Sequence, residues 1–267
     1  MAEPRRRSAA GLSCEAMLWH RFDFRESSRI VVLLTREHGR IQALAKGSHR
    51  ADSPMLGRLD FLNDLNVRLS ADRGGLRLLL RADLLRERRG LRQALRYLAA
   101  SHLVELGNYG FPDGLPDPEL FDLIHGGLTL LERCPLFAVA QVMLGLELRF
   151  LIHLGCLPDI EHCTDCGTPL TGGAFLGSDG GLACRSHAPS PKKALPERAF
   201  DQLRRLSLAK GRELPELDLV PLSPTAVALP MQWLSRALER RGRLRRYVFD
   251  SALAQHRVDS TAGRPLP

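Results

Sequence analysis

The first third of the chain alternates apolar and polar residues with the two-residue period of β-strands. The segment "SRIVVLLTRE" at 28–37 is a β-branched apolar run, and "RIQALAKG" at 40–47 follows it after a His38–Gly39 turn. Three more strand candidates are "CEAMLWHRFDF", "LNVRLSA" and "GLRLLLRADLL". Five short strands joined by turns predict a small β-barrel over residues 13–86, and the OB-fold is the barrel that best suits this pattern.

From about Glu87 the apolar residues recur with helical spacing instead. Asp117 is a predicted N-cap with Pro118 at the first helical position, and Pro224 opens the last helix in a similar way. We expect Pro230 to perturb that last helix. The predicted helical stretches are 87–110, 119–134, 135–155, 196–209 and 223–254.

These patterns predict an α+β protein in which an N-terminal OB-fold β-barrel is followed by a helical domain at 87–256. A loop at 161–189, rich in glycine and cysteine, is inserted into the helical domain. The basic segment at 1–12 and the tail at 257–267, which is rich in Pro, Gly, Ser and Thr, are predicted to be disordered.

The inserted loop carries four residues with the spacing of a tetrahedral zinc site. Cys163 and Cys166 form a C-x-x-C knuckle, and Cys184 and His187 form a C-x-x-H knuckle further along the chain. Because two paired knuckles supply four ligands, the pattern predicts one closed, structural Zn²⁺ site in a zinc-ribbon-like loop, and not a catalytic site with an open position. His162 is the alternative fourth ligand.

A disulfide and a thioredoxin-like redox pair are the competing interpretations of the C-x-x-C knuckle. The N-terminal segment "MAEPRRRSAAGLS" lacks the apolar run of a secretory signal, so we expect a reducing compartment in which disulfides are rare. Redox motifs lie at strand-to-helix junctions, whereas Pro158 and the neighbouring glycines indicate a loop. The isolated Cys14, Cys134 and Cys156 are predicted to be small buried residues.

The charge of the chain favours an anionic partner such as nucleic acid. Its 267 residues include 38 Lys and Arg against 30 Asp and Glu, giving a formal net charge of +8 and a pI of about 9.6. The longest apolar stretch is interrupted by Gln141, Glu147, Arg149 and His153, so we expect no membrane span.

These segments together resemble the bacterial recombination-mediator family RecO. The resemblance rests on "RIVVLLTREHGRIQALAKGSHR" in the barrel, on "LGCLPDIEHCTDCG" and "GGLACRSH" around the cysteines, and on "RGRLRRYVF" near the end of the chain. They occur in the order of the family over residues 12–250. One departure is that the family usually ends its zinc motif with a fourth cysteine, where this chain has His187.

The resemblance implies a protein without enzymatic activity that acts in DNA recombination and in the repair of DNA damage. Such a protein binds single- and double-stranded DNA, anneals complementary strands and, with RecR, helps RecA to load onto DNA coated by single-strand-binding protein. The C-terminal tail of that coating protein is a further implied partner, and the implied location is the cytoplasm, with the nucleoid. The alternative functions are a zinc-dependent nucleic-acid hydrolase and a structural zinc-ribbon adaptor.

Basic residues concentrate around the second and third strands, where OB-folds bind nucleic-acid strands. Lys46-Gly47-Ser48 also offers backbone N–H groups that a phosphate can approach. The alternative interpretation is a solvated strand edge, on which Lys and Arg discourage pairing. The candidate DNA-binding residues of the barrel are Arg36, Arg40, Lys46, His49, Arg50, Arg73 and Arg77.

A second basic stretch lies at 240–246. It is either another DNA surface, with Arg240, Arg241 and Arg243 as its candidates, or a helix C-terminus with favourable cations. Aromatic residues are scarce in the barrel, so we expect DNA to be bound through phosphates, independently of sequence and with a strong dependence on salt.

Overall fold

The alternating segments form five β-strands in the computed structural model of the chain, which describes residues 11–72, 76–112, 114–171, 173–240 and 242–251. The strands are β1 (Leu12–Phe24), β2 (Ser28–Thr35), β3 (Gly39–Ala45), β4 (Asp64–Leu69) and β5 (Arg77–Arg86). They close into a barrel in the order β1-β2-β3-β5-β4, antiparallel except for the parallel β3–β5 pair. The predicted OB-type barrel is therefore confirmed.

The inside of the barrel is filled by the apolar residues of the period-two pattern. Its fully buried members include Leu18, Val31, Leu33, Ala43, Leu65, Val67 and Leu69. Trp19 is also fully buried and stacks edge to face on Phe111, with ring centroids 6.1 Å apart. Because Phe111 lies beyond the last strand, a later segment of the chain completes the barrel unit.

The turn between β2 and β3 requires a glycine at position 39. Gly39 has a φ of +65°, and a Cβ at this position would collide with the backbone of Leu115. Thr35 closes the turn by donating its hydroxyl hydrogen to the carbonyl oxygen of Gly39 over 2.9 Å. A side chain at position 39 would thus strain the hairpin that carries Arg36 and Arg40 and leads directly to Lys46.

The described residues fall into two units, one made up of residues 11–89 and 111–122 and one made up of residues 90–110 and 123–251. The second unit contains most of the helical residues. The helices of the chain are α1 (Ala94–Gly110), α2 (Pro118–Arg133), α3 (Val139–His153), α4 (Glu197–Leu208), α5 (Pro224–Ala237) and α6 (residues 245–251). Of the predicted tails, the described residues include only Gly11 and Leu12.

The N-cap predicted for α2 is present, since the carboxylate of Asp117 accepts a hydrogen bond from the backbone N–H of Leu120 over 2.9 Å. Helix α3 is the most buried helix of the second unit. With the 3₁₀ turn before it, the stretch Leu136–His153 is long and apolar enough to cross a membrane, but 72% of it is buried within the protein. That burial is typical of a core helix.

The prediction that the last helix is continuous is wrong. Residues 223–254 were expected to form one helix perturbed by Pro230, whereas α5 continues through Pro230 and ends at Ala237, and α6 begins at residue 245. The backbone leaves the helix at Glu239, where φ is +51°. The backbone N–H groups of Arg243 and Leu244 then donate to the Glu105 carboxylate of α1 over 2.8 and 3.2 Å, which holds the break in place.

A buried ionic cluster joins α1, α3 and α6. The Glu147 carboxylate, whose side chain is 0% exposed, accepts two hydrogen bonds of 2.8 Å from Arg245, and its Oε1 lies 2.8 Å from Nε2 of His102. Nδ1 of His102 lies 3.3 Å from Glu105. Two carboxylates thus face a guanidinium and an imidazole within the core, so their charges are balanced there.

Burial is the largest single influence on the pKa values of Glu147 and His102, but hydrogen bonds and neighbouring charges together outweigh it. Burial alone would raise the pKa of Glu147, but the Arg245 charge and the His102 ring bring that pKa below its usual value. Burial alone would lower the pKa of His102, but the hydrogen bonds that its ring makes to the carboxylates of Glu105 and Glu147 raise it. These opposite directions favour the ionised form of each group.

We expect Glu147→Ala to destabilise the helical unit by about 3–5 kcal/mol, because it leaves the Arg245 charge buried without its partner. Denaturant unfolding followed by the fluorescence of Trp233 measures this, in a Trp19→Phe background that leaves one of the two tryptophans. Glu216→Ala removes an exposed carboxylate and is the matched control. Equal unfolding midpoints for the two variants would contradict the prediction.

Candidate functional site

The two knuckles predicted from the sequence meet at one point of the inserted loop. The ligand atoms of Cys163, Cys166, Cys184 and His187 all lie within 4.8 Å of one another. A short hairpin, β6 (Phe175–Leu176) with β7 (Leu182–Ala183), leads the chain from the first knuckle back to the second. The described residues contain no other group of three or more potential ligands as close together.

The distances within this group suit a tetrahedral metal site. Sγ of Cys166 lies 3.9 Å from Sγ of Cys184, and Nδ1 of His187 lies 3.3 Å from Cys184 Sγ and 3.9 Å from Cys163 Sγ. Sulfur atoms bound to one zinc ion at about 2.3 Å in a tetrahedron are about 3.8 Å apart. The donor set therefore fits a metal ion in both its chemistry and its spacing.

Hydrogen bonds from backbone N–H groups favour the thiolate form of Cys163. The backbone N–H of Cys184 contributes most to lowering the pKa of Cys163 to about 6, and those of Cys166 and Asp165 lower it further against the opposing effect of burial. Gly167, with a φ of +69°, turns the first knuckle so that its N–H donates to the carbonyl oxygen of Cys163. A thiolate is the form of cysteine that binds metals.

The alternative fourth ligand, His162, is turned away to another partner. Its Nδ1 lies 3.1 Å from the Asp159 carboxylate, and it is not a member of the group of four. Of the isolated cysteines, Cys134 is buried as predicted and burial raises its pKa to about 11. Cys14 is half-buried, and the prediction for Cys156 is wrong, since it is exposed after the end of α3.

Helix α5 holds the metal-binding loop in place. Nε1–H of Trp233 donates to the carbonyl oxygen of Gly180 over 2.8 Å, and the Arg236 guanidinium donates to that of Asp179. Gly180 has a φ of +83°, and a Cβ there would collide with the Arg236 side chain. Two side chains one helical turn apart thus fix the tip of the loop between its knuckles.

Three of the candidate DNA-binding residues of the barrel are engaged with carboxylates of their own unit. Arg36 forms a bidentate pair with Asp122 at 2.9 and 2.8 Å, which raises the pKa of Arg36. Nε2 of His49 lies 2.7 Å from the Asp23 carboxylate, and this contact, together with Arg29, lowers the pKa of Asp23. The third residue is Arg77, which pairs with the Asp72 carboxylate and donates a hydrogen bond to the carbonyl oxygen of Ser70.

The remaining candidates of the barrel differ in exposure. Lys46 and Arg50 are exposed, and within the described residues neither forms an ion pair, whereas Arg40 is half-buried on β3. Arg73 lies outside the described residues. The expectation that the Lys46-Gly47-Ser48 backbone is open to phosphate needs correction at Gly47, because its N–H donates to the Ser28 hydroxyl over 3.2 Å.

The arginines of the second basic stretch do not all lie at a helix C-terminus, as one interpretation of the sequence expected. Arg240 and Arg243 are exposed, and Arg243 lies just before the N-terminus of α6, where the helix dipole does not favour a cation. Arg241 lies outside the described residues. Arg245 is buried in the ionic cluster with Glu147. This stretch is thus divided between structural and exposed arginines.

Sequence reasoning missed the cluster of His102, Glu105, Glu147 and Arg245. A glutamate in the middle of an apolar helix was a signal for it, because a buried carboxylate requires a cationic partner. The identity of that partner could not be read from the sequence, since Arg245 follows Glu147 by 98 residues.

The comparisons with known proteins agree with these features. The family model described as "Recombination protein O N terminal" matches residues 11–88, and the one described as "Recombination protein O C terminal" matches residues 91–244. The chain is 32% identical over 236 residues to the DNA repair protein RecO of Rhodopirellula baltica, covering 84% of this chain and 86% of that protein.

Two further relatives carry the same name. The chain is 34% identical over 174 residues to the DNA repair protein RecO of Pelobacter propionicus, covering 64% of this chain and 70% of that protein. It is 31% identical over 205 residues to that of Myxococcus xanthus, covering 75% and 83%. With both family models matched in order, and with the barrel and the helical unit that they span, the chain belongs to the RecO family of DNA repair proteins.

Proposed function

We propose that this protein is a DNA-binding recombination mediator that anneals complementary strands without an enzymatic step. The observation that carries the proposal is the closed OB-type barrel with two exposed cations just beyond β3, Lys46 and Arg50, which form no ion pair with any residue that the structure describes. OB-folds bind nucleic-acid strands across their second and third strands and the adjoining loops. Cations at this surface neutralise phosphates and so lower the repulsion between two DNA strands.

The partners proposed for this chain are those of the family it belongs to. They are single- and double-stranded DNA, RecR, and the C-terminal tail of single-strand-binding protein, from whose coat RecA is loaded onto DNA. The corresponding location is the cytoplasm, with the nucleoid. The cationic balance of the chain supports the nucleic-acid part of this proposal.

We also propose that Cys163, Cys166, Cys184 and His187 hold one structural zinc ion. A bound zinc ion would supply a four-bond cross-link of roughly 10–16 kcal/mol apparent free energy to a loop that has little core of its own. The four protein ligands leave no position of a tetrahedron for a reactive water, and this supports a structural role. His187 takes the place of the fourth cysteine through its Nδ1.

The mediator function predicts strand annealing in the absence of ATP. Complementary oligonucleotides coated with single-strand-binding protein should form duplex faster with this protein than without it, as measured by fluorescence energy transfer between end labels. An annealing rate that depends on added nucleotide, or that equals the rate without the protein, would contradict the proposed function.

The barrel site predicts a change in the salt dependence of single-strand binding. Each phosphate contact contributes a slope of about −0.7 in log K against log salt, so Lys46→Ala or Arg50→Ala should make the slope shallower by about that amount for every sequence. A salt titration of oligonucleotide affinity measures this. Arg40→Ala belongs to the same series, with a smaller expected effect because Arg40 is half-buried.

Two variants are the controls for this titration. Arg36→Ala should change the slope less than Lys46→Ala, because Asp122 already compensates the Arg36 charge. Lys193→Ala removes an exposed lysine of the helical unit and should leave the slope unchanged. Unchanged slopes for both Lys46→Ala and Arg50→Ala would move the DNA site away from the barrel.

The metal site predicts a loss of zinc on removal of a ligand. Cys163→Ser or Cys184→Ser should lower the metal content of the purified protein from about one ion per chain and should expose residues 161–189 to proteolysis, because four ligands are needed to close the site. Cys156→Ser removes an exposed cysteine outside the group and is the matched control. His162→Ala should retain zinc where His187→Ala loses it; wild-type protein without zinc would refute the site.

A further inference from the structure

A groove on the helical unit combines an apolar floor with a cationic rim. It has a volume of about 580 Å³ and lies between the end of α5 and the start of α6. Its floor includes Leu106, Met231, Leu234 and Leu238, and its rim includes Arg240, Arg243, Arg246 and Tyr247. None of the described residues that line it is Asp or Glu, so its charge is complementary to an anion.

The rim pairs guanidinium groups with exposed tyrosine rings. Arg246 lies over the ring of Tyr247 at 4.6 Å from its centroid, and Arg240 lies over the ring of Tyr109 at 6.0 Å. Tyr247 is 46% exposed and Tyr109 is 37% exposed. Exposed aromatic rings and guanidinium planes are the two kinds of surface on which unpaired bases stack.

The buried ionic cluster fixes this rim in position. Arg245 is directed into the core by its two hydrogen bonds to Glu147, while its neighbours Arg243 and Arg246 are exposed. The Glu105 carboxylate accepts the backbone N–H groups of Arg243 and Leu244 and thereby holds the backbone that precedes α6. The exposed arginines therefore project from an anchored backbone, which lowers the entropy lost on binding.

We propose that this groove is a second site for single-stranded DNA, in which Tyr247 stacks on bases, with Tyr109 next to Arg240 as a further ring, while Arg240, Arg243 and Arg246 contact phosphates. The proposal rests on the DNA-binding function proposed above. It adds a site that contacts the faces of the bases by stacking and makes no hydrogen bonds to their edges. Stacking tolerates every base, so the site remains independent of sequence. The aromatic residues that are scarce in the barrel are supplied here by the helical unit.

The test separates stacking from charge by using two probes, an oligothymidylate and an abasic oligonucleotide of equal length and charge. We expect Tyr247→Ala to weaken binding of the oligothymidylate about tenfold and to leave binding of the abasic probe unchanged within about twofold. Arg246→Ala should weaken both probes and make the salt slope shallower. A Lys46→Ala, Arg50→Ala background weakens the barrel site, so that the groove contributes more of the measured affinity.

Two further variants control for folding and for aromatic loss elsewhere. Tyr247→Phe should restore most of the affinity for the oligothymidylate, because it keeps the ring but loses the hydroxyl that accepts a hydrogen bond from Arg246. Phe137→Ala removes an exposed ring outside the groove and should change neither affinity. A loss with Tyr247→Phe as large as with Tyr247→Ala would overturn the stacking role.

Other outcomes overturn the inference in distinguishable ways. If Tyr247→Ala leaves both probes unaffected while Lys46→Ala still flattens the salt slope, the second site is refuted and the proposed function stands. If Tyr247→Ala abolishes binding of a short peptide of glutamate and phenylalanine but not of DNA, the groove is a peptide site. If the wild-type protein fails to bind either probe at low salt, both proposals fail.

Discussion

The helical unit depends on one requirement, which is that the carboxylate of Glu147 be neutralised where no water reaches it. An isolated charge in a protein core costs far more than a single side chain contributes by packing. The chain meets this requirement with Arg245 and His102, so α1, α3 and α6 lie together. After α5 the backbone passes Glu105, whose carboxylate accepts the N–H groups of Arg243 and Leu244, and Arg245 then reaches Glu147.

The same sorting of charges governs which cations remain available for DNA. In the barrel, Arg36, His49 and Arg77 each have a carboxylate partner of their own unit. The net charge of the chain therefore overstates the charge that a phosphate meets at any one surface. What determines a binding surface is the set of cations left exposed after the fold has used the others, and in the barrel this set includes Lys46 and Arg50.

Local patterns predicted the fold and the cluster of three cysteines and one histidine, whereas contacts between distant residues could not be predicted from them. The apolar run at 28–37 and the alternation at 40–47 indicated strands, Asp117 caps its helix as predicted, and the residues with knuckle spacing lie together, because each feature depends on short stretches of sequence. The pairing of Arg36 with Asp122 spans 86 residues and leaves no periodic trace. Hence the sequence could not show which candidate cations of the barrel are paired with carboxylates.

A metal-ligand cluster and a DNA-binding surface differ in how well a sequence predicts them, and the reason is physical. A zinc knuckle is defined by bond lengths and coordination number, so four residues suffice to specify it. A sequence-independent DNA surface has no such geometry, because long-range charge and planar stacking tolerate wide variation in position. In this chain the folded structure separates Arg245, which is paired with the buried carboxylate of Glu147, from Arg243 and Arg246, which are exposed.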